Sequence, residues 1–316
     1  MSRWLLRRTG DAIATALVAS VVLVILLHLL PGDPLAAVLG DHPVAPDVEA
    51  RMRQHWATLP AIFRALVHGD LGQSIVQNRP VVTILAERLA PTFLLGALTL
   101  LIDFTAGLAL GVWSALHPDT LRARFVGAVT IVGYALPSFV IGMLLVWLFA
   151  LKLHWFPPGG VSDVLLSPDA SFASRLVDHL RHLALPLAAM VIATLAVPLR
   201  QQRSAALATA AQPWVLAARA RGVSPGRVAW RHCWRPALTP IVTLLGLWFP
   251  MLVAGAVFVE VVFQWPGVGL LLAQATADRD VPLVIGGGLL LIIAVQLGSL
   301  LADVLYHVVD PAQRHA

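Results

Sequence analysis

Long apolar runs alternate with polar segments along most of this chain of 316 residues. A helix needs about 20 consecutive apolar residues to cross the hydrocarbon core of a bilayer. Six runs come close to that length or exceed it, and we therefore predict an all-α membrane protein with six transmembrane helices. The predicted spans are residues 12–30, 92–116, 125–151, 182–199, 237–262 and 281–308.

Charge in the connecting segments predicts the side of the membrane on which each one lies. Residues 200–236 contain seven arginines and no acidic residue, and arginine-rich loops between spans stay in the cytoplasm. Six spans then place both termini in the cytoplasm. Residues 32–91 carry balanced charge and are predicted to form an outer segment. This segment separates an N-terminal tail and first span (1–31) from a core transmembrane domain (92–316).

The basic loop 200–236 has the start and stop signals of two short helices. Gln212-Pro213 predicts a helix start, because proline at the first helical position loses no hydrogen bond. Gly222 predicts its end, since glycine readily takes the left-handed conformation of a C-cap. Ser224-Pro225 predicts a second start. Two short helices between spans indicate a surface that docks another protein; the alternative is that the arginines only fix the topology.

Composition excludes several functions. The chain is 58% hydrophobic and 12% charged, whereas a soluble domain has about 25% charged residues. The positive-inside bias explains the net charge of +5 better than nucleic-acid binding does.

Lys152 is the only lysine and follows no glycine run. The chain therefore lacks an ATPase phosphate-binding loop, and we predict that it is not an enzyme and has no cofactor of its own. Cys233 is the only cysteine, and His179 and His182 are interpreted as interfacial rather than as metal ligands.

Three acidic residues lie in the predicted spans, where exposing a charge to lipid is costly. Asp103 lies mid-span, and two roles are possible for it: it lines a translocation pathway, or it forms a structural pair. Glu260 and Asp303 lie near span ends and are interpreted as interfacial or paired inside the bundle. Pro137 is predicted to kink the third span rather than to break it. Gly286 and its two glycine neighbours are predicted to allow close helix approach.

Several different short motifs are distributed along almost the whole chain. They are LPGDP at 30–34, HGDLG at 68–72, ARARGV at 218–223, RH at 231–232, RPALTP at 235–240, FQWPGVG at 263–269, and Asp303 with DP at 310–311. In type and order they resemble the motifs of permeases of binding-protein-dependent ABC importers, in the dipeptide, oligopeptide and nickel group. Residues 218–223 are similar to the core of that group's cytoplasmic coupling loop, although Gln212-Pro213-Trp214 stands where the group commonly has an acidic residue and Asp-Tyr.

The resemblance implies one pore subunit of an importer in the bacterial plasma membrane, paired with a second, homologous permease as a heterodimer. Two cytoplasmic ATP-binding subunits would bind ATP and magnesium, and an extracytoplasmic substrate-binding protein would deliver the solute. Small peptides are the expected substrates. Nickel or a metal chelate is the first alternative, and a stand-alone secondary transporter or channel a more distant one. The residues expected to dock the ATPase are Trp214, Val215, Ala218, Arg219, Ala220 and Gly222.

Overall fold

A computed structural model describes residues 2–28, 70–163, 165–167, 169–234, 248 and 256–309. Within those residues the protein is helical, apart from turns, connections and an isolated β-bridge between Gln73 and Pro80. π-Helical turns continue the helix Ser138–Leu145 through Val146–Lys152 and the helix Pro225–Arg227 through Val228–Trp234. The helices, in chain order, are α1 (Ser2–His28), α2 (Val81–Leu116), α3 (Leu121–Ala135), α4 (Ser138–Leu145), α5 (Phe172–Thr194), α6 (Ala196–Ala210), α7 (Pro213–Ala220), α8 (Pro225–Arg227), α9 (Val257–Val262), α10 (Val268–Ala277) and α11 (Val281–Val309).

Three of the described helices are long and apolar enough to cross a membrane: α2, α5 and the Val281–Leu301 part of α11. They overlap the second, fourth and sixth predicted spans, but α2 begins at Val81 rather than near residue 92. The fourth predicted span, 182–199, covers the second half of α5 and the first residues of α6. α1 covers most of the first predicted span. The fifth, residues 237–262, lies mostly outside the described residues.

The third predicted span is broken rather than kinked. The chain bends by 107° between α3 and the helix formed by α4 with its π-helical continuation. Leu136 (φ −87°, ψ 137°) and Pro137 (φ −58°, ψ 138°) both leave the helical conformation, because proline has no N–H to donate and crowds the residue before it. The prediction of a kink at Pro137 was therefore wrong.

α2 and α6 run parallel and touch along a seam that repeats every fourth residue. A Cβ added at Gly107 or at Gly111 would meet atoms of α6 at 3.2 Å and 2.7 Å, respectively. One turn further, Ala115 of α2 and Ala206 of α6 are buried in the same apolar cluster. Small residues at this spacing let two helix backbones approach closely, and they therefore fix the position of α6 on α2.

At the end of the bundle where α2 begins, a buried carboxylate joins α9, α10 and α2. Oε1 of Glu260 accepts a hydrogen bond from the Thr92 hydroxyl at 2.7 Å, and Oε2 accepts one from the Leu270 N–H at 3.0 Å. The Thr92 oxygen accepts a further bond from the Val268 N–H at 2.8 Å. These bonds satisfy first-turn N–H groups of α10 that have no partner inside the helix. Gly267 is needed beside them, because a Cβ there would overlap the carboxylate.

A second buried carboxylate ties the connection before α2 to the start of α11. Asp280 accepts hydrogen bonds from the Ser74 hydroxyl, from the Ile75 N–H at 3.3 Å and from the Leu283 N–H at 3.3 Å. Gly286 lies one turn further along α11, where an added Cβ would collide with the first residue of α2. The predicted close helix approach at this glycine is confirmed.

The seam predicts that Gly111→Ala destabilises the protein. The added methyl group would press against the backbone of α6, and overpacking of this kind costs about 1–3 kcal/mol. We expect a lower melting temperature of the purified protein in detergent, measured by tryptophan fluorescence. Gly10→Ala is the control, because no described atom lies within 4 Å of a Cβ at that helical position. Equal melting temperatures for the two variants would show that α6 does not rest on α2 at Gly111.

Candidate functional site

α7 begins and ends where the sequence predicts. Gln212 precedes it in an extended conformation (φ −73°, ψ 145°), and Pro213 occupies its first position. Gly222 has a left-handed backbone (φ +76°), and its N–H donates to a carbonyl oxygen of α7 at 2.9 Å. The N–H of Val223 donates to the Ala218 carbonyl oxygen at 3.2 Å. This pair of bonds is a Schellman motif, which ends a helix at a residue with positive φ.

The second short helix also forms and packs against α7. α8 follows Ser224, whose carbonyl oxygen accepts a hydrogen bond from the Val228 N–H at 3.0 Å. Val228 is buried against Val215 of α7, and Ala210 and Val223 complete this apolar cluster. The cluster therefore fixes the direction in which α7 projects from the end of α6.

Four of the six residues expected to dock a partner lie on the exposed side of α7 and its cap. Trp214, Arg219, Ala220 and Gly222 are exposed. Leu216, which the motif comparison did not include, is 52% exposed beside them. Tryptophan and arginine are enriched in the residues that dominate protein–protein binding. This side of α7 therefore combines apolar area with positive charge.

The other two expected docking residues face the opposite way. Val215 and Ala218 have no exposed surface. They lie three residues apart, on the stripe through which a short helix contacts its own support, and here that support includes Val228. The expectation that Ala218 touches a partner closely is corrected accordingly: Val215 and Ala218 hold α7 in place, and the opposite side is free for contact.

Asp103 is buried where the seam begins. It has no exposed surface, and its Oδ2 accepts a hydrogen bond from the hydroxyl of Thr194, the last residue of α5, at 2.6 Å. Its Oδ1 has no hydrogen-bond partner among the described residues. The same holds for the side-chain amide of Gln202, which lies against Gly111 further along the seam. Asp103 thus has a partner inside the bundle, and its lining of a translocation pathway stays a prediction.

The remaining candidate residues have separate surroundings. Glu260 is paired inside the bundle, as interpreted from the sequence. Asp303 belongs to α11, and its side chain lies outside the described residues. Nδ1 of His179 lies 3.1 Å from a backbone carbonyl oxygen, whereas Nδ1 of His182 lies 3.2 Å from a carboxylate oxygen of Asp178. The two histidines therefore have different neighbours.

Sequence reasoning missed the two threonines that bond buried carboxyl groups. Thr92 directly follows Pro91 inside α2, and Thr194 stands four residues before Pro198. Proline is tolerated in membrane helices partly because hydroxyl side chains compensate the backbone groups that it leaves unpaired. A threonine next to a proline in an apolar helix was therefore an available signal for Thr92, but not for Thr194, because Thr194 ends α5 and Pro198 lies in α6.

Comparison with known proteins identifies the family. The model of the family described as "binding-protein-dependent transport system inner membrane component" matches residues 107–315. A putative peptide permease protein of Brucella ovis is 34% identical over 98% of this chain and 98% of its own length. The di/tripeptide transport system permease protein of Pseudomonas aeruginosa is 33% identical over 100% of this chain and 99% of its own length. The dipeptide transport system permease protein of Escherichia coli is 30% identical over 100% and 99%, respectively. With similarity over almost its whole length, the chain belongs to the family of binding-protein-dependent transport system inner membrane components.

Proposed function

We propose that this chain is a pore-forming subunit of an ATP-driven importer that carries di- and oligopeptides across the bacterial plasma membrane. The observation that carries the proposal is its nearly full-length similarity to proteins named as peptide, dipeptide and oligopeptide permeases. The six-span topology, with the basic loop and both termini in the cytoplasm, is part of the proposal. The seven arginines of residues 200–236 support it.

The proposed transporter contains several partner subunits. A second, homologous permease completes the pore as a heterodimer, and an extracytoplasmic binding protein delivers the peptide. Dependence on a binding protein is part of the family's description. Two cytoplasmic subunits bind ATP and magnesium. The absence of a glycine run before Lys152, the only lysine in the sequence, supports an external source of ATP-derived energy.

The proposed docking surface for an ATP-binding subunit is the exposed side of α7. It presents Trp214, Leu216, Arg219 and Ala220. The support beneath the helix favours this role, since the cluster around Val215 packs α7 against the residues that follow it and fixes its direction. A short helix with defined start and stop residues and one packed side can transmit a displacement without losing its helical hydrogen bonds.

Movement of α7 is proposed to reach the membrane through α6 and α2. The Gln212 N–H donates to the Thr209 carbonyl oxygen at 3.0 Å, so a short hydrogen-bonded turn joins α6 to α7. α6 then lies against the glycines of α2, and the Asp103–Thr194 bond connects α2 with the end of α5. We propose that α7, α6 and α2 move as one body when the ATP-binding subunits close on ATP.

The docking proposal predicts that Ala220→Trp uncouples the transporter. A bulky side chain on the exposed side of α7 would hold the ATP-binding subunit away, while the apolar cluster under the helix stays intact. We expect docking to weaken by at least ~1.4 kcal/mol, that is, about tenfold in affinity, and binding-protein-stimulated ATP hydrolysis by the reconstituted complex to fall with it. The measurement is phosphate release with and without peptide-loaded binding protein.

Ala208→Trp is the control, because Ala208 is also an exposed alanine but lies on α6. It should keep both the ATP-binding subunits and the stimulation. If Ala220→Trp behaved like this control, the exposed side of α7 would not be the docking surface, and the arginines of the loop would only fix its topology.

The substrate proposal predicts that a dipeptide or tripeptide, bound by the cognate binding protein, stimulates ATP hydrolysis by the reconstituted complex. Binding protein without peptide is the control and should leave hydrolysis near its basal rate. Stimulation by a nickel chelate, with no response to any peptide tested, would assign the chain to the metal-chelate importers. A purified chain that transports solute without ATP-binding subunits would instead indicate a secondary transporter.

A further inference from the structure

An open apolar groove lies where α2 ends and α3 begins, apart from both the seam and the docking helix. Its volume is about 660 Å³. The groove exists because α3 turns away from α2 and packs against α5 and α6, so that the two helices diverge after their short connection. It is lined by Leu110, Trp113, Leu121, Arg122, Phe125 and Val126.

The apolar lining of this groove is well exposed. Leu121 and Phe125 lie one turn apart on α3 and expose 81% and 70% of their surfaces. Trp113 lines the same groove from near the end of α2. Tryptophan is enriched at membrane–water boundaries, where its ring contacts hydrocarbon and its N–H faces polar groups. The position at a helix connection, together with this tryptophan, is typical of the depth at which lipid chains meet their headgroups.

Positive charge is concentrated at the same place. Arg122 lines the groove, and Arg124 stands two residues later; both are exposed and lie in the first turn of α3. A helix N-terminus itself carries partial positive charge and unpaired N–H groups. Asp119 is the only acidic residue between positions 104 and 162, and its single charge does not balance the two arginines. An apolar floor therefore adjoins a positive rim.

We propose that this groove binds one anionic phospholipid. Its acyl chain lies along Leu121, Phe125 and Trp113, and its phosphate is held by the Arg122 guanidinium at the start of α3. Charge decides in favour of this occupant, since basic pockets between membrane helices attract anionic headgroups. A second protein subunit that buried Arg122 would have to bring its own acidic group to it. The site is independent of the solute that the transporter carries.

The test measures lipid binding to the complete purified transporter in detergent. Phosphatidylglycerol and phosphatidylcholine of equal chain length are titrated separately, and bound lipid is counted by native mass spectrometry. The wild-type protein should prefer phosphatidylglycerol. Arg122→Gln keeps a polar side chain but removes the charge, and should weaken phosphatidylglycerol binding about fivefold with little effect on phosphatidylcholine. Arg124→Gln is the matched control, because Arg124 does not line the groove, and it should weaken phosphatidylglycerol binding clearly less than Arg122→Gln does.

Two further arms separate the parts of the site. Phe125→Ser should weaken binding of both lipids, because the acyl chains of phosphatidylglycerol and of phosphatidylcholine contact the same apolar residues of the groove. Glycerol phosphate has the charged group without the acyl chains and should not compete; effective competition would reduce the site to a phosphate site and overturn the lipid proposal.

The remaining outcomes also decide the matter. An unchanged preference in Arg122→Gln would contradict the assignment of the phosphate to that residue. An equal loss in Arg124→Gln would attribute the preference to diffuse surface charge rather than to the groove. If the wild-type complex bound no lipid and the Arg122→Gln variant lost the second permease, the groove would instead be an interface between the two permeases.

Discussion

Close contact between the parallel helices α2 and α6 is the constraint on which the rest of the structure depends. Lipid is as apolar as the side chains that face it, so membrane helices associate through tight packing and hydrogen bonds rather than through the hydrophobic effect. Gly107 and Gly111 supply the packing, and the Asp103–Thr194 hydrogen bond adds a polar contact between α2 and the end of α5, just before α6 begins. Because α6 leads directly into α7, the position of α2 determines where the docking helix stands.

Buried carboxyl groups stabilise the opposite end of α2. Glu260 holds the start of α10 with the help of Thr92, and Asp280 holds the start of α11 against the connection that precedes α2. The first turns of both helices would otherwise leave N–H groups without partners. α2 is therefore attached at its beginning to α10 and α11 and along its second half to α6, which makes it the common support of the described bundle.

Local signals in the sequence predicted some features well and left others undetermined. The limits of α7 were predictable, because Pro213 and Gly222 act through their own backbone conformations. The apolar runs of α2 and α11 were predictable from length alone, whereas the fourth predicted span, 182–199, crosses the end of α5 into α6. The break at Pro137 was not, since a proline weakens a helix without fixing the angle that packing then selects. Nor was the burial of Val215 and Ala218, because an eight-residue helix does not reveal which side its neighbours will cover.

The central claim is that α6 and α2 move together when ATP binds to the partner subunits. The most direct measurement is the distance between spin labels on Ala109→Cys of α2 and Leu207→Cys of α6, both exposed positions, with Cys233 replaced by serine. We expect the same distance distribution in the nucleotide-free and ATP-bound states of the assembled transporter. A shift on the order of one helical turn, ~5.4 Å, would show that α6 slides along α2 and would contradict the account.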